Sequence, residues 1–157
     1  MPKRPRVGDI LRIPLGCGTF AYAHYVEFGE RNGAIIRVYN RTAPTDPTDE
    51  ELRDSDLMFP PVIAGIFAAT RTGRWSVVRN RPVSEYKHPL FINDYTDKEG
   101  RVTDWWLING STESRLGPIL PTEYRQLEPE AVWPAEWIEE RIRDRTHPFI
   151  EAYRAKF

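Results

Sequence analysis

Cysteine, net charge and long apolar runs are all scarce in this chain, and each scarcity removes a class of function. The single cysteine, Cys17, excludes an intramolecular disulfide framework and a multi-cysteine zinc site, and it suits a reducing compartment. Lys and Arg number 22 against 23 Asp and Glu, a net charge of −1, so the basic excess usual in proteins that coat nucleic acid is missing. No run approaches the roughly 18 apolar residues of a membrane span. The charged start Pro2-Lys3-Arg4-Pro5-Arg6 leads into Val7-Gly8-Asp9 without the apolar segment of a secretion signal. These features predict a cytoplasmic protein. Histidine is scarce too: His24, His88 and His147 lie too far apart to form a local ligand pair, so no metal or other cofactor is expected.

What the chain does have is material for a β core. Its 157 residues suit one domain, with the core expected over about 7–143 and a helical extension at 144–157. Five Trp, seven Tyr and seven Phe supply large core side chains, while 14 Pro favour short elements broken by loops. Leu11, Ile13 and Leu15 alternate with Arg12 and Pro14, the pattern of a half-buried strand, and Pro14 belongs at an edge or a strand end. Gly16-Cys17-Gly18 turns the chain into a second strand, with Phe20, Tyr22, His24, Val26 and Phe28 on one face and Ala21 and Ala23 on the other. Asn32-Gly33 turns it again into a strand over Ala34–Tyr39. Thr48 and Glu51 have capping-box spacing, which predicts a short helix from Asp49. Further strands are expected at Val62–Phe67, Trp75–Val78, Leu90–Tyr95 and Trp105–Ile108, the last closed by an Asn109-Gly110 hairpin turn. Beyond Pro121, Trp133, Trp137, Ile138, Arg141 and Ile142 fall at helical spacing, and Pro148 precedes a last turn or two. The expected fold is mainly β (α+β), a twisted, partly closed antiparallel sheet or barrel with a C-terminal helix.

Catalytic constellations are hard to find, and no enzymatic activity is expected. His24 sits between Tyr22 and Val26 on an apolar face, where a hydrogen-bonded core histidine outweighs a general base. His88 and His147 each precede a proline and read as exposed loop residues. A thiol enzyme built on Cys17 needs a basic partner that the sequence does not supply. Arg71, Arg74, Arg79 and Arg81 surround Trp75, the interleaving that a nucleic-acid-binding β module uses. Trp75 alternates with Val77, however, which turns the ring inward and leaves the arginines as a solvated face. Trp105 and Trp106 point to opposite sides of a strand, one into the core. Asp46, Asp49, Glu50, Glu51, Asp54 and Asp56 stand against Arg53 alone. Such a run reads either as a solvated face that adds little to folding or as a docking surface for a basic protein. In the second reading the contacts come from Asp46, Asp49, Glu50, Glu51 and Asp54.

Several fragments, taken in order, resemble one family: Val7-Gly8-Asp9-Ile10, Ile13-Pro14-Leu15-Gly16, Phe20-Ala21-Tyr22-Ala23, Phe59-Pro60-Pro61-Val62, Gly73-Arg74-Trp75-Ser76-Val77-Val78, Trp105-Trp106-Leu107, Leu127-Glu128-Pro129 and Val132-Trp133. Together they resemble the immunity protein 26 family of bacterial polymorphic toxin systems over roughly 7–143. The resemblance implies a β-type domain without catalytic residues, encoded beside a toxin gene, that protects the producing cell by binding the toxin. If that toxin is a nuclease, its substrate site is basic and an acidic loop imitates phosphate. Because no chemistry is assigned to Cys17, Cys17→Ser is expected to retain toxin binding and protection. A toxin-challenge assay checks this, and loss of protection with an unchanged circular dichroism spectrum contradicts it.

Overall fold

The alternation and glycine turns at the N-terminal end become a three-stranded meander. In the computed structural model, which describes residues 2–157, β1 (Asp9–Gly16), β2 (Thr19–Gly29) and β3 (Gly33–Ala43) run antiparallel. The first turn takes Gly16, Cys17 and Gly18 through the left-handed region, at φ 89°, 53° and 71°, so glycine on either side of Cys17 relieves a conformation that side chains resist. Pro14 lies at the end of β1, beyond the stretch Asp9–Arg12 that pairs with β5 (Ser76–Asn80), where its missing N–H costs no ladder bond. Between β3 and β5 come α1 (Asp49–Arg53), β4 (Val62–Ala64) and α2 (Ile66–Arg71).

Two open sheets result. The larger has the order β10-β4-β3-β2-β1-β5, where β10 (Val132–Trp133) pairs parallel with β4. The smaller has the order β8-β7-β6-β9, built from β6 (Phe91–Thr96), β7 (Val102–Asn109), β8 (Thr112–Gly117) and β9 (Glu128–Pro129). Its β6–β9 pair is also parallel. The protein is therefore mainly β, with antiparallel ladders apart from these two short parallel contacts, and it ends in α3 (Ala135–Asp144) and α4 (Pro148–Arg154).

Period-2 alternation decides where the core sits. One face of the large sheet carries Leu11, Ile13, Ala23, Tyr25, Ile36 and Val38, and it packs against α2, α3 and α4 through Ile66, Ile138 and Ile150. On the other face, Val26, Ile35 and Ile63 meet Phe91 and Ile108 of the small sheet. Further along that same face Ile10, Tyr22 and Tyr39 are covered by Leu52 of α1. A last cluster joins Trp105 and Ile92 to Tyr153 of α4. Trp105 thus lies under the C-terminal helix, edge-on to Tyr153 at 5.8 Å between ring centroids. Trp106, on the opposite side of β7, is half-buried against Tyr95 at 5.8 Å.

Four sequence expectations need correction. The strand expected over Val62–Phe67 ends at Ala64: Gly65 interrupts it, and the good helix former Ala at 68 and 69 favours α2, where Thr70 Oγ1 donates to the Ile66 carbonyl at 2.9 Å. Trp133 belongs to a strand rather than the helix, because Pro134 is extended and caps α3. His88 is half-buried instead of exposed: its Nδ1 pairs with Glu27 at 2.6 Å and its Nε2 accepts from the Gly110 N–H. His147 is buried, accepts at Nδ1 from the Phe149 N–H as the N-cap of α4, and meets Glu140 at 2.7 Å. His147 is extended before its proline, at φ −153° and ψ 144°, but tertiary partners decide the burial of both histidines.

The two sheets and the C-terminal helices are fastened by one buried ion pair. Arg141 of α3 forks onto Glu128 of β9, with Nη1–Oε1 at 2.5 Å and Nη2–Oε2 at 3.0 Å. The guanidinium also lies 4.0 Å from the Phe59 ring centroid and 4.8 Å from that of Trp133 in β10. Arg154 of α4 adds a second cation 3.6 Å from Glu128. Removing Arg141 alone leaves a buried carboxylate without its main partner, which costs about 3–5 kcal/mol. In urea denaturation, Arg141→Met is therefore expected to be far less stable than the double variant Arg141→Met/Glu128→Leu. Equal losses in the two contradict this.

Candidate partner-binding site

The acidic segment lies on an arginine-bearing stretch of the large sheet, and three of its six carboxylates are used there. Asp46 accepts from Arg12 Nε of β1 at 2.8 Å and from the Tyr22 hydroxyl at 2.9 Å. Asp49 accepts from Arg79 Nε of β5 at 2.8 Å, and Arg79 Nη2 also donates to the Pro47 carbonyl. Glu51 pairs with Arg41 of β3. It also completes the capping box foreseen from the spacing: the Glu51 N–H donates to Thr48 Oγ1 and the Thr48 N–H to Glu51 Oε1, both at 3.1 Å. Leu52, one turn of helix from Asp49, is fully buried. The segment is thus anchored by arginines of three strands, the Tyr22 hydroxyl of β2 and a core leucine, which corrects the expectation that it adds little to folding.

Two of the five candidate residues keep their charge in solvent. The side chains of Glu50 and Asp54 are 77% and 70% exposed and touch only Arg53, loosely, at 3.9 Å and 3.7 Å. The structure therefore divides the predicted set into Asp46, Asp49 and Glu51, which hold α1 in place, and Glu50 and Asp54, which project from it. Sequence reasoning counted only Arg53 against these acids. The missed signal was the parity of Arg12, Arg37, Arg41 and Arg79 along alternating strands.

Proton affinities follow the pairing. The Arg12 hydrogen bond, more than the Tyr22 hydroxyl, holds the Asp46 carboxyl below the usual range, against a smaller upward push from burial. Burial first, then the bond to Asp46, pushes the Tyr22 phenol up to about 12. The Thr48 backbone N–H, first among its neighbours, lowers Glu51.

The other candidate positions are tied up or chemically plain. Trp75 is buried and its Nε1 donates to Glu139 at 3.0 Å, so its ring offers no stacking platform. Arg74 forks onto the same Glu139, and Arg79 is held by Asp49. Cys17 is exposed in its turn. His24 is buried, as expected of a hydrogen-bonded core histidine, with Nε2 at 2.8 Å from the Arg81 carbonyl and 3.1 Å from that of Gly8. No helix among the described residues is long and apolar enough to cross a membrane.

Because Asp46 has a depressed carboxyl in the folded state, its contribution to stability is present above the unfolded carboxylate range and is lost as pH falls through the folded value. Stability of the wild type should fall as the pH drops through and below the ordinary carboxylate range at about 4, and Asp46→Asn should flatten that fall while costing about 1 kcal/mol or less at pH 7. Urea midpoints measured across this range check the prediction, and parallel curves for the two proteins contradict it.

Comparison with known proteins adds one finding. A family model described as Immunity protein 26 matches residues 6–105, a span that runs from just before β1 to Trp105 and takes in the acidic segment. The fragments near Glu128 and Trp133 fall outside it. No curated protein and no solved structure is significantly similar to the chain. Since the matched span is well over half of the 157 residues, the chain belongs to the Immunity protein 26 family.

Proposed function

We propose that this protein binds a toxin protein and neutralises it by stoichiometric occlusion, with the exposed edge of α1 contributing to the contact. Family membership carries the immunity reading. The fixed acidic edge supports the choice of surface: Glu50 and Asp54 project from a helix that Asp46, Asp49 and Glu51 hold in position. A charged group held in one place loses little entropy on docking, whereas a floppy one must be ordered at that moment. Occlusion requires an interface of roughly 1,200–2,000 Å² with a few anchoring side chains, so α1 supplies one edge of it rather than the whole.

The partner that fits is a basic toxin encoded by a neighbouring gene of a polymorphic toxin system, met in the cytoplasm of the producing cell. A nuclease suits this surface well, since its substrate cleft attracts phosphate and an acidic edge competes for the same field. Rim charges act mainly on the rate of encounter. Accordingly, Glu50→Gln/Asp54→Asn should slow association with the neighbouring gene's product several-fold at low salt and flatten its salt dependence, while the melting temperature stays near that of the wild type. Binding kinetics at two salt concentrations read both effects. An unchanged on-rate removes this edge from the interface, and absence of binding by the wild type removes the immunity reading.

A further inference from the structure

One polar cavity remains on the sheet face that carries α1. It lies between α1 and the segment 81–85, has a volume of about 250 Å³, and has His24, Arg37, Tyr39 and Arg81 among its lining residues. Leu52 and Leu57 form apolar wall, and Ser55 and Ser84 bring hydroxyls. We propose that this cavity is a binding site for an oxyanion, a carboxylate or phosphate group clamped between Arg37 and Arg81.

The argument begins with charge. Arg12, Arg41 and Arg79 are each matched by a carboxylate of the acidic segment. Arg37 and Arg81 form no ion pair with any described residue, although both are half-buried. Arg37 Nε is buried and meets no hydrogen-bond acceptor, while its Nη2 donates to His24 Nδ1 at 3.2 Å. That bond fixes the histidine as the neutral tautomer with its proton on Nε2, aimed at the Gly8 and Arg81 carbonyls. Burial first, and then the positive charges of Arg37 and Arg81, push His24 further from protonation. The same two arginines favour the phenolate of Tyr39 against the burial that opposes it. They therefore share one small space, where their mutual repulsion has no internal counter-charge. A guanidinium fork matches the geometry of carboxylate and phosphate oxygens, and such charge-assisted bonds are the strong ones. The other charged groups at the cavity are Arg53, already near Glu50 and Asp54, and Glu85, exposed on the rim.

The site stands independently of the immunity reading, because a free anion tests it without any toxin. Inorganic phosphate and acetate, each titrated at constant ionic strength against chloride, should shift the backbone amide signals of residues 24, 37, 39 and 81 saturably, whereas chloride does not. Arg37→Gln and Arg81→Gln should each weaken phosphate binding at least tenfold. Ser84→Trp, which narrows the exposed rim without removing a cation, should also block it and keeps the test open if an arginine variant fails to fold. Absence of saturable shifts with both anions overturns the proposal, as do equal shifts with chloride or unchanged affinity in the folded variants. The source of the anion is then read by competition. If phosphate slows toxin association, the occupant is an acidic side chain of the toxin, and if association is unaffected, it is a free anion.

Discussion

The architecture depends on a buried charge pair being complete. Glu128 sits on a two-residue strand that joins the small sheet through a parallel contact, and α3 brings Arg141 to it from the other side. Neither ion is tolerable alone at that depth, so the position of the helix and that of the strand are mutually enforced. The aromatic faces of Phe59 and Trp133 close over the guanidinium and replace part of its lost hydration. Hydrophobic contact between the sheets, through Ile35, Ile63, Phe91 and Ile108, is non-directional. The ion pair adds the direction, and with it a defined relation between the two sheets and the helical end.

A similar logic of compensation runs across the other face of the large sheet. Strands rarely place several arginines side by side without an answering charge, because like charges opposite one another destabilise a sheet. Here the answer comes from a connecting segment whose acids are spaced to reach three separate strands. The segment is consequently both a cover for Tyr22 and Tyr39 and a neutralising layer. Its outward acids are those that the sheet does not need, and the other three are already engaged by the sheet's arginines, so a partner would have to compete for them. The arginines left over at the cavity are the complement of the same arithmetic.

How much of this was legible in the sequence depended on how local the determinant was. The hairpin turns at Gly16-Cys17-Gly18 and Asn109-Gly110, the capping box of Thr48 and Glu51, and the inward Trp75 all follow from rules that act within a few residues. The α2 helix was missed because Ile66-Phe67 continues an apolar run that strands and helices share, and Gly65 was the single break between them. His88 and His147 were misjudged because their partners, Glu27 and Gly110 for one and Glu140 for the other, are brought in by the fold. The two parallel pairings join residues far apart in the chain, and two-residue strands carry no periodicity to read. The candidate site was half legible. Its acids were visible as a run, but the division between structural and free carboxylates depends on arginines contributed by three other strands.

The lateness of Arg141 in the chain has a consequence for synthesis. Ribosomes release the meander first, and its strands pair with immediate neighbours in sequence, so they can associate while the rest is still being made. The face holding Leu11, Tyr25 and Val38 then has only α2 and Trp75 as cover until α3 and α4 emerge. Glu128 likewise waits in water until the tenth-strand bridge has formed and Arg141 follows it out of the exit tunnel. A nascent chain interrupted just before that point presents a greasy sheet and an unanswered carboxylate, which is the kind of species that chaperones hold and proteases clear. Translation speed over the last helices therefore governs how long the newborn protein spends in its most aggregation-prone form.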